Sequence, residues 1–146
     1  MRRIVFTLVV ILGLYSLDVS AQQDVSGLDF RLKSSVMRVG EEKIAINSRI
    51  VREGDRLLWR QRSHSRVQDQ VFRIRSSSGS WNKETGEGKI TLQLRSGGEA
   101  YRFVLVRTPE GVRGRLFYIS RQSGKEDKHI FFIDRILYGR KASTQS

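Results

Sequence analysis

Basic side chains at alternating positions are the residues of this sequence with the clearest chemistry. Arginine forks match the geometry of phosphate, sulfate and carboxylate groups. Side chains on neighbouring strands of one sheet face lie within about 5 to 10 Å of each other, so a basic face can engage one polyanion at several points. We predict such an anion-binding face on three consecutive strands, made of Lys89, Arg95, Arg102, Arg113 and Arg115.

A second group of arginines lies earlier in the chain. Its members are Arg56, Arg60, Arg62, Arg66, Arg73 and Arg75. The chain has 27 basic and 15 acidic residues, a formal net charge of +12. This balance favours an anionic partner, either an acidic glycan or a lipid head group. The alternative is an ordinary solvated surface whose charge only keeps the protein soluble.

Catalytic and metal-binding patterns are scarce. The two histidines, His64 and His129, are each flanked by turn residues, and we expect both on the surface. No cysteine, metal-ligand spacing or phosphate-binding glycine loop is present. We therefore predict a protein that is not an enzyme and uses no metal or cofactor, with an unrecognised hydrolase as the alternative.

The segment from Lys89 to Asp134 has the strongest structural pattern. Apolar residues alternate with polar ones, and turn signals stand at Gly97-Gly98, at Thr108–Gly111 and between Gln122 and Asp127. These three turns predict antiparallel strands with one common apolar face, made of Ile90, Leu92, Leu94, Tyr101, Phe103, Leu105, Leu116, Tyr118, Phe131 and Ile133.

The third of these turns predicts specific neighbours. It places Tyr118 opposite Phe131 and Leu116 opposite Ile133, and on the other face it makes Arg115 and Asp134 an ion pair. That other face also carries Phe117, Ile119, Ile130 and Phe132. Such an apolar area needs a cover or is itself a binding surface.

The segment Asp24–Gly40 has two interpretations. Leu28, Phe30 and Leu32 alternate as in a strand, whereas Leu28, Leu32 and Val36 keep helical spacing. We favour a strand for the front part. The alternative is a short N-terminal helix that would cover the apolar area of the meander.

Further strands are predicted between Lys43 and Arg75. Lys43–Arg52 and Asp55–Arg62 form a hairpin around Glu53-Gly54, with Ile50 opposite Leu57, and Val67–Arg75 follows. The serine- and glycine-rich stretch Ser76–Gly88 reads as a long, loosely packed loop that contains Trp81.

The pattern as a whole predicts an all-β fold. About eight antiparallel strands form a meander that closes into a small barrel or a flattened sandwich. A closed barrel allows a second function, the transport of a hydrophobic small molecule in its interior. The residues that would line that interior, or simply form a dry core, are Trp59, Tyr101, Phe103, Tyr118 and Phe131.

Gly79-Ser80-Trp81 resembles the Gly-x-Trp motif of lipocalins. The resemblance covers these three residues and implies an exported, eight-stranded barrel. In lipocalins the motif lies near the first strand, whereas about four predicted strands precede it here.

The ends of the chain predict export. Residues 1–21 have two arginines, an apolar run and a Val19-Ser20-Ala21 cleavage site, which together are typical of a secretory signal peptide. We predict a single domain over 22–138, without a transmembrane segment, and a disordered basic tail over 139–146. The expected location is the bacterial periplasm or the extracellular space, where nucleic acid is a poor candidate for the partner.

Overall fold

A computed structural model describes residues 23–139, and over this range the chain is a closed antiparallel barrel. A two-residue strand, β1, precedes eight barrel strands. The bounds are Gln23–Asp24 (β1), Phe30–Val39 (β2), Glu42–Glu53 (β3), Arg56–Ser63 (β4), Arg66–Asn82 (β5), Glu87–Ser96 (β6), Glu99–Thr108 (β7), Gly111–Ile119 (β8) and Glu126–Tyr138 (β9).

The connectivity is the simplest that a barrel allows. Each strand from β2 to β9 pairs with the next, and β9 pairs back onto β2. This confirms the predicted all-β fold and selects the barrel over the sandwich. None of the residues 23–139 forms a helix long and apolar enough to cross a membrane. The predicted signal peptide and nearly all of the predicted tail lie outside the described residues.

Alternation of inward and outward side chains builds the core. The inward positions of all eight strands supply a continuous apolar interior, which removes a large apolar area from water. The largest fully buried side chains are Trp81, Phe30, Phe72, Phe103, Phe131, Leu32, Ile50, Leu57, Ile90, Leu92, Leu94 and Leu105. The predicted apolar face of the meander is confirmed for nine of its ten residues, which belong to this core or pack against it, and Tyr118 lies beside His129.

The first two turns of the meander are also confirmed. Gly97 and Gly98 have φ angles of +58° and +80°, and they place Leu92 opposite Phe103 as predicted. The turn before Gly111 places Phe103 opposite Leu116. Both turns contain residues whose backbone preferences fix the turn position, so the register follows from local chemistry.

The register predicted for β8 and β9 is wrong. Tyr118 lies opposite Asp127 and Leu116 lies opposite His129, because the turn starts at Ser120, two residues earlier than predicted. The amide of Ser120 donates to the carbonyl of Lys125, which closes a six-residue loop. The shift is even, so the inward face is kept while the cross-strand partners change.

Two predicted side-chain positions in this hairpin are corrected. Arg115 faces Ile130 and forms no pair with Asp134, whose carboxylate instead accepts hydrogen bonds from Ser35. His129 points into the barrel instead of lying on the surface.

The register predicted for the β3–β4 hairpin is also wrong. Its turn is Gly54-Asp55, so Ile50 lies opposite Trp59 and not opposite Leu57. Gly54 has a φ of +61°, which fixes this turn one residue later than the predicted Glu53-Gly54.

The predicted loop Ser76–Gly88 is mostly strand. β5 continues to Asn82, and Trp81 is fully buried instead of lying in a loosely packed segment. A bulge after Ile74 and a φ of +106° at Gly79 let this serine-rich stretch follow β6. A Cβ at Gly79 would collide with the carbonyl of Lys89, so glycine permits the close approach.

A buried arginine seals the barrel end near the chain start. The guanidinium of Arg52, which is 3% exposed, donates to the carbonyls of Val25 (2.6 Å), Ser26 (2.7 Å) and Leu28 (3.3 Å). Beside it, Trp81 Nε1 donates to the hydroxyl of Tyr138 at 2.8 Å. The bonds of Arg52 hold the segment before β2 across the barrel end, and the Trp81–Tyr138 bond joins β5 to β9. The segment Phe30–Val39 is strand β2, so the helical alternative for it is wrong.

Replacing Arg52 by glutamine is expected to lower the free energy of unfolding by about 3 kcal/mol or more, because buried carbonyls lose their donors. Urea unfolding followed by tryptophan fluorescence measures the loss. The matched control is Arg56→Gln on the exposed wall, for which we expect a change within about 0.5 kcal/mol. Equal effects of the two variants would contradict the sealing role.

Candidate anion-binding site

Four cationic side chains lie directly opposite one another on four consecutive strands. Arg135 on β9 pairs with Lys33 on β2, Lys33 pairs with Arg49 on β3, and Arg49 pairs with Arg60 on β4. All four are exposed on the outer wall. Neighbouring strands are about 4.8 Å apart, so this cationic row is about 14 Å long.

The cationic row lies in a cleft of about 600 Å³. The pairing of β2 shifts register around Ser34 and Val36 on both of its sides, and bulges of this kind bend a sheet locally. The cleft lies at these irregularities. Its lining residues are Lys33, Ser34, Ser35, Asn47, Ser48, Arg49, Arg60, Arg62, Asp134 and Arg135.

The carboxylates at the cleft leave most of its cations without partners. Asp134 Oδ2 accepts from the amide (2.8 Å) and the hydroxyl (2.7 Å) of Ser35. Asp69 receives two hydrogen bonds from Arg60, at 2.8 and 2.9 Å, which hold the pKa of Asp69 below its usual range. In the described part of the chain, four cleft cations form no hydrogen bond or ion pair: Lys33, Arg49, Arg62 and Arg135.

This arrangement is unfavourable for the free protein. Like charges directly opposite on neighbouring strands are destabilising, by amounts of about 0.2 to 1 kcal/mol per pair. Lys33 and Arg49 each have a cation on both sides. An anion bound in the cleft would replace this repulsion with attraction.

A second row of like charges lies elsewhere on the wall. Arg56, Arg73 and Arg95 are direct neighbours on β4, β5 and β6. Arg95 donates to the carbonyl of Gly98 at 3.1 Å. None of the three lines the cleft, so this second row serves as a comparison for the first.

The predicted anion-binding residues are all on the outer wall but outside the cleft. Arg102 forms an ion pair with Glu126 at 3.4 Å, and Arg113 and Arg115 follow on β8. Lys89 and Arg95 lie on β6. Of the second predicted group, only Arg60 and Arg62 reach the cleft.

Sequence reasoning missed Lys33, Arg49 and Arg135 as site residues. Lys33 and Arg49 alternate with the buried Leu32 and Ile50, so their outward position was readable from the pattern. Their alignment with Arg135 depends on the pairing of β9 with β2, for which the sequence has no local turn signal.

The residues predicted to hold a hydrophobic ligand face the interior, and all of them except Phe103 contact another ring. Trp59 and Phe131 meet edge to face at 5.3 Å between ring centroids, and Tyr101 meets Phe72 in the same way at 5.0 Å. Phe103 is 1% exposed. A hydrophobic ligand would have to separate these rings, and the carrier function stays a prediction.

Tyr118 and His129 extend this ring cluster toward the end opposite Arg52. Their ring centroids are 4.8 Å apart, and His129 lies 5.8 Å from Trp59. Burial lowers the pKa of His129, and Asp127 opposes this shift in part. Burial and the neighbouring Asp127 both raise the pKa of Tyr118.

The described residues offer little for metal binding. Between 23 and 139, no three side chains of the histidine, cysteine, aspartate or glutamate type come close enough to hold a metal ion. His64 lies exposed in the β4–β5 turn, apart from His129.

Comparisons with known proteins found no significant similarity. The chain matches no protein-family model, and no curated protein or solved structure is significantly similar to it.

Replacing Arg49 by glutamine is expected to raise the free energy of unfolding by about 0.5 kcal/mol at low salt, because it removes repulsion on both sides. The gain should shrink in high salt, which screens exposed charges. Urea titrations at two salt concentrations measure it. The control is Arg60→Gln, which also loses the ion pair with Asp69, so we expect a smaller gain in the free energy of unfolding. A loss of stability in Arg49→Gln would contradict the proposed repulsion.

The pH dependence of stability tests the buried position of His129. Its folded-state pKa lies below the ordinary value of 6.5, so its contribution is complete above pH 6.5. As the pH falls from there through the folded-state pKa, the unfolded chain binds the proton first and stability is lost. We expect His129→Gln to weaken the decline of unfolding free energy between about pH 7.5 and pH 5, relative to wild type. His64→Gln, which changes the exposed histidine, is the control and should leave the decline unchanged. An unchanged decline in His129→Gln would contradict the inward placement.

Proposed function

We propose that this chain is a non-enzymatic β-barrel that binds an acidic glycan in the cleft, along the cationic row. The observation that carries this proposal is the alignment of Arg135, Lys33, Arg49 and Arg60 in one concave surface. The unpaired cations give the free protein a repulsion that an anionic chain would relieve.

The polar lining supports a glycan as the ligand. Asn47 and Ser35 border the cleft, and an amide and a hydroxyl suit the hydroxyl groups of a sugar. Arg49 and Arg62 can each bind a carboxylate or sulfate with two parallel hydrogen bonds.

The absence of rings in the lining disfavours single-stranded nucleic acid. Proteins that bind such strands stack the bases on aromatic side chains. No aromatic side chain is among the residues that line the described cleft. Export, which we propose from residues 1–21, would place the protein among envelope or extracellular glycans.

The binding test uses sulfated dextran oligosaccharides, with neutral dextran as the ligand control. We expect Lys33→Gln with Arg49→Gln to weaken binding of the sulfated chain by roughly tenfold or more at low salt, since each lost contact is charge-assisted. Isothermal titration calorimetry measures the binding constants.

The matched control variant is Arg56→Gln with Arg73→Gln. It removes the same charge from the second row, and we expect less than about a threefold change because exposed charges are screened over this distance. Equal losses in the two double variants would show that net charge alone drives binding. Tighter binding of single-stranded DNA than of sulfated dextran at the same residues would overturn the glycan assignment.

A further inference from the structure

The outer wall of β8 and β9 carries an apolar area next to its cations. Phe117, Ile130 and Phe132 point outward and are half-buried, and Ile119 is 55% exposed. The helix that could have covered them is absent from the described residues, where β2 takes its place. What lies on these side chains instead is a set of cationic groups.

Each phenylalanine ring has a cation stacked closely on it. The guanidinium carbon of Arg102 lies 4.1 Å from the ring centroid of Phe117, and that of Arg113 lies 4.3 Å from the centroid of Phe132. At these distances the cation is attracted by the negative face of the ring. The cations keep their charge at the surface while their stems cover the rings.

Further cations surround both rings. The ammonium of Lys128 lies 5.9 Å from the Phe117 centroid. Lys43 lies 5.0 Å and Arg38 lies 5.9 Å from the centroid of Phe132. We call this surface the aromatic-cationic face, and its members are Arg38, Lys43, Arg102, Arg113, Arg115, Phe117, Lys128, Ile130 and Phe132.

Arg115 lies on β8 between Arg113 and Phe117, opposite Ile130 of β9, and has unused hydrogen-bonding capacity. Its Nε is buried without a hydrogen-bond partner among residues 23–139. The only ion pair described for this face joins Arg102 to Glu126 at 3.4 Å. Five of its six cations therefore form no ion pair within residues 23–139.

We propose that the aromatic-cationic face docks peripherally on an anionic lipid surface. Charge complementarity selects this occupant, since a negative membrane surface attracts clustered basic side chains. Outward, half-buried rings and basic side chains with apolar stems fit the boundary between head groups and acyl chains. Arg115 would bind a lipid phosphate, which arginine recognises through parallel hydrogen bonds.

The face differs from the cleft in composition and in location. The cleft lining has no aromatic side chain and shares no residue with the aromatic-cationic face. Each surface can therefore be tested with the other left intact. The last residues, 140–146, begin with Arg140 and Lys141 and are a poor electrostatic match for a basic face.

The experiment is flotation of the purified protein with phosphatidylcholine vesicles that contain either no phosphatidylglycerol or about 30% of it, at about 0.1 M salt. Wild type should float with the anionic vesicles only. Phe117→Ser with Phe132→Ser keeps every charge and should weaken binding by roughly tenfold, because ring burial is lost. Arg113→Gln with Arg115→Gln should weaken it by roughly 25-fold, about fivefold per cation.

The charge-matched control is Lys33→Gln with Arg49→Gln in the cleft, which should change vesicle binding by less than about threefold. A Phe132→Trp variant adds a direct readout, since its emission should shift to the blue with anionic vesicles. The native tryptophans, Trp59 and Trp81, both lie against the core of the barrel. Wild type measured with the same vesicles therefore supplies the background emission to subtract.

Three results would overturn the proposal. One is no flotation of wild type with anionic vesicles. Another is unchanged binding in the Phe117→Ser, Phe132→Ser variant, which would reduce the contact to charge alone. The third is vesicle binding that only the cleft variant abolishes, because the lipid would then occupy the cleft and the glycan proposal would fail with it.

Discussion

The pairing of β9 with β2 is the constraint on which the rest of this structure depends. It joins the two ends of the meander, so no barrel strand is left as an open edge. Closure also gives the barrel a mainly apolar interior and an exterior that carries most of its charges. The same ladder contains the register shifts around Ser34 and Val36, and it brings Arg135 beside Lys33. The element that completes the fold is thus the one that creates the cleft.

Cations are distributed over this exterior in two chemically different settings. In the cleft, Lys33 and Arg49 stand among other cations with small polar neighbours and without partners of opposite charge. On β8 and β9, Arg102 and Arg113 lie on phenylalanine rings, which stabilise them locally. In the cleft the cations repel one another, which favours binding of an anion along the row. On β8 and β9 apolar side chains lie together with cations, which favours binding to a surface that is both anionic and apolar.

The sequence predicted the fold well where turns have a unique chemistry. Gly97-Gly98 leaves one register for its hairpin, and the β6–β7 neighbours were correct for that reason. The loop between Ser120 and Lys125 has several polar residues around Gly124, so its centre was ambiguous. Because side chains alternate with a period of two, an even register error keeps the buried face and misplaces every cross-strand partner. Arg115 was assigned the wrong partner in this way. His129 was predicted on the surface because it was read as a turn-flanking residue, although it alternates in phase with the inward Phe131.

Secondary structure predicted from composition was wrong where tertiary contacts determine the conformation. Ser76–Asn82 looks like a loop, yet it forms a strand because Gly79 allows the close approach of β6 and Trp81 fills the barrel end. The outward direction of the predicted cations was readable from alternation alone. Which of these cations form the cleft could not be predicted from the sequence. The cationic row crosses the β2–β9 ladder, where Lys33 and Arg135 come from opposite ends of the barrel sequence. Only the closed barrel aligns them.

The central claim is that one anionic chain lies along the cationic row, and a chemical-shift map tests it most directly. Titration of the ¹⁵N-labelled protein with a short sulfated oligosaccharide would follow backbone amides and arginine side-chain Nε–H signals together. The account predicts that the largest shifts map to β9, β2, β3 and β4, with Arg49, Arg60 and Arg135 among the side chains. Largest shifts on Arg56, Arg73 and Arg95, or equal shifts over the whole basic surface, would contradict it.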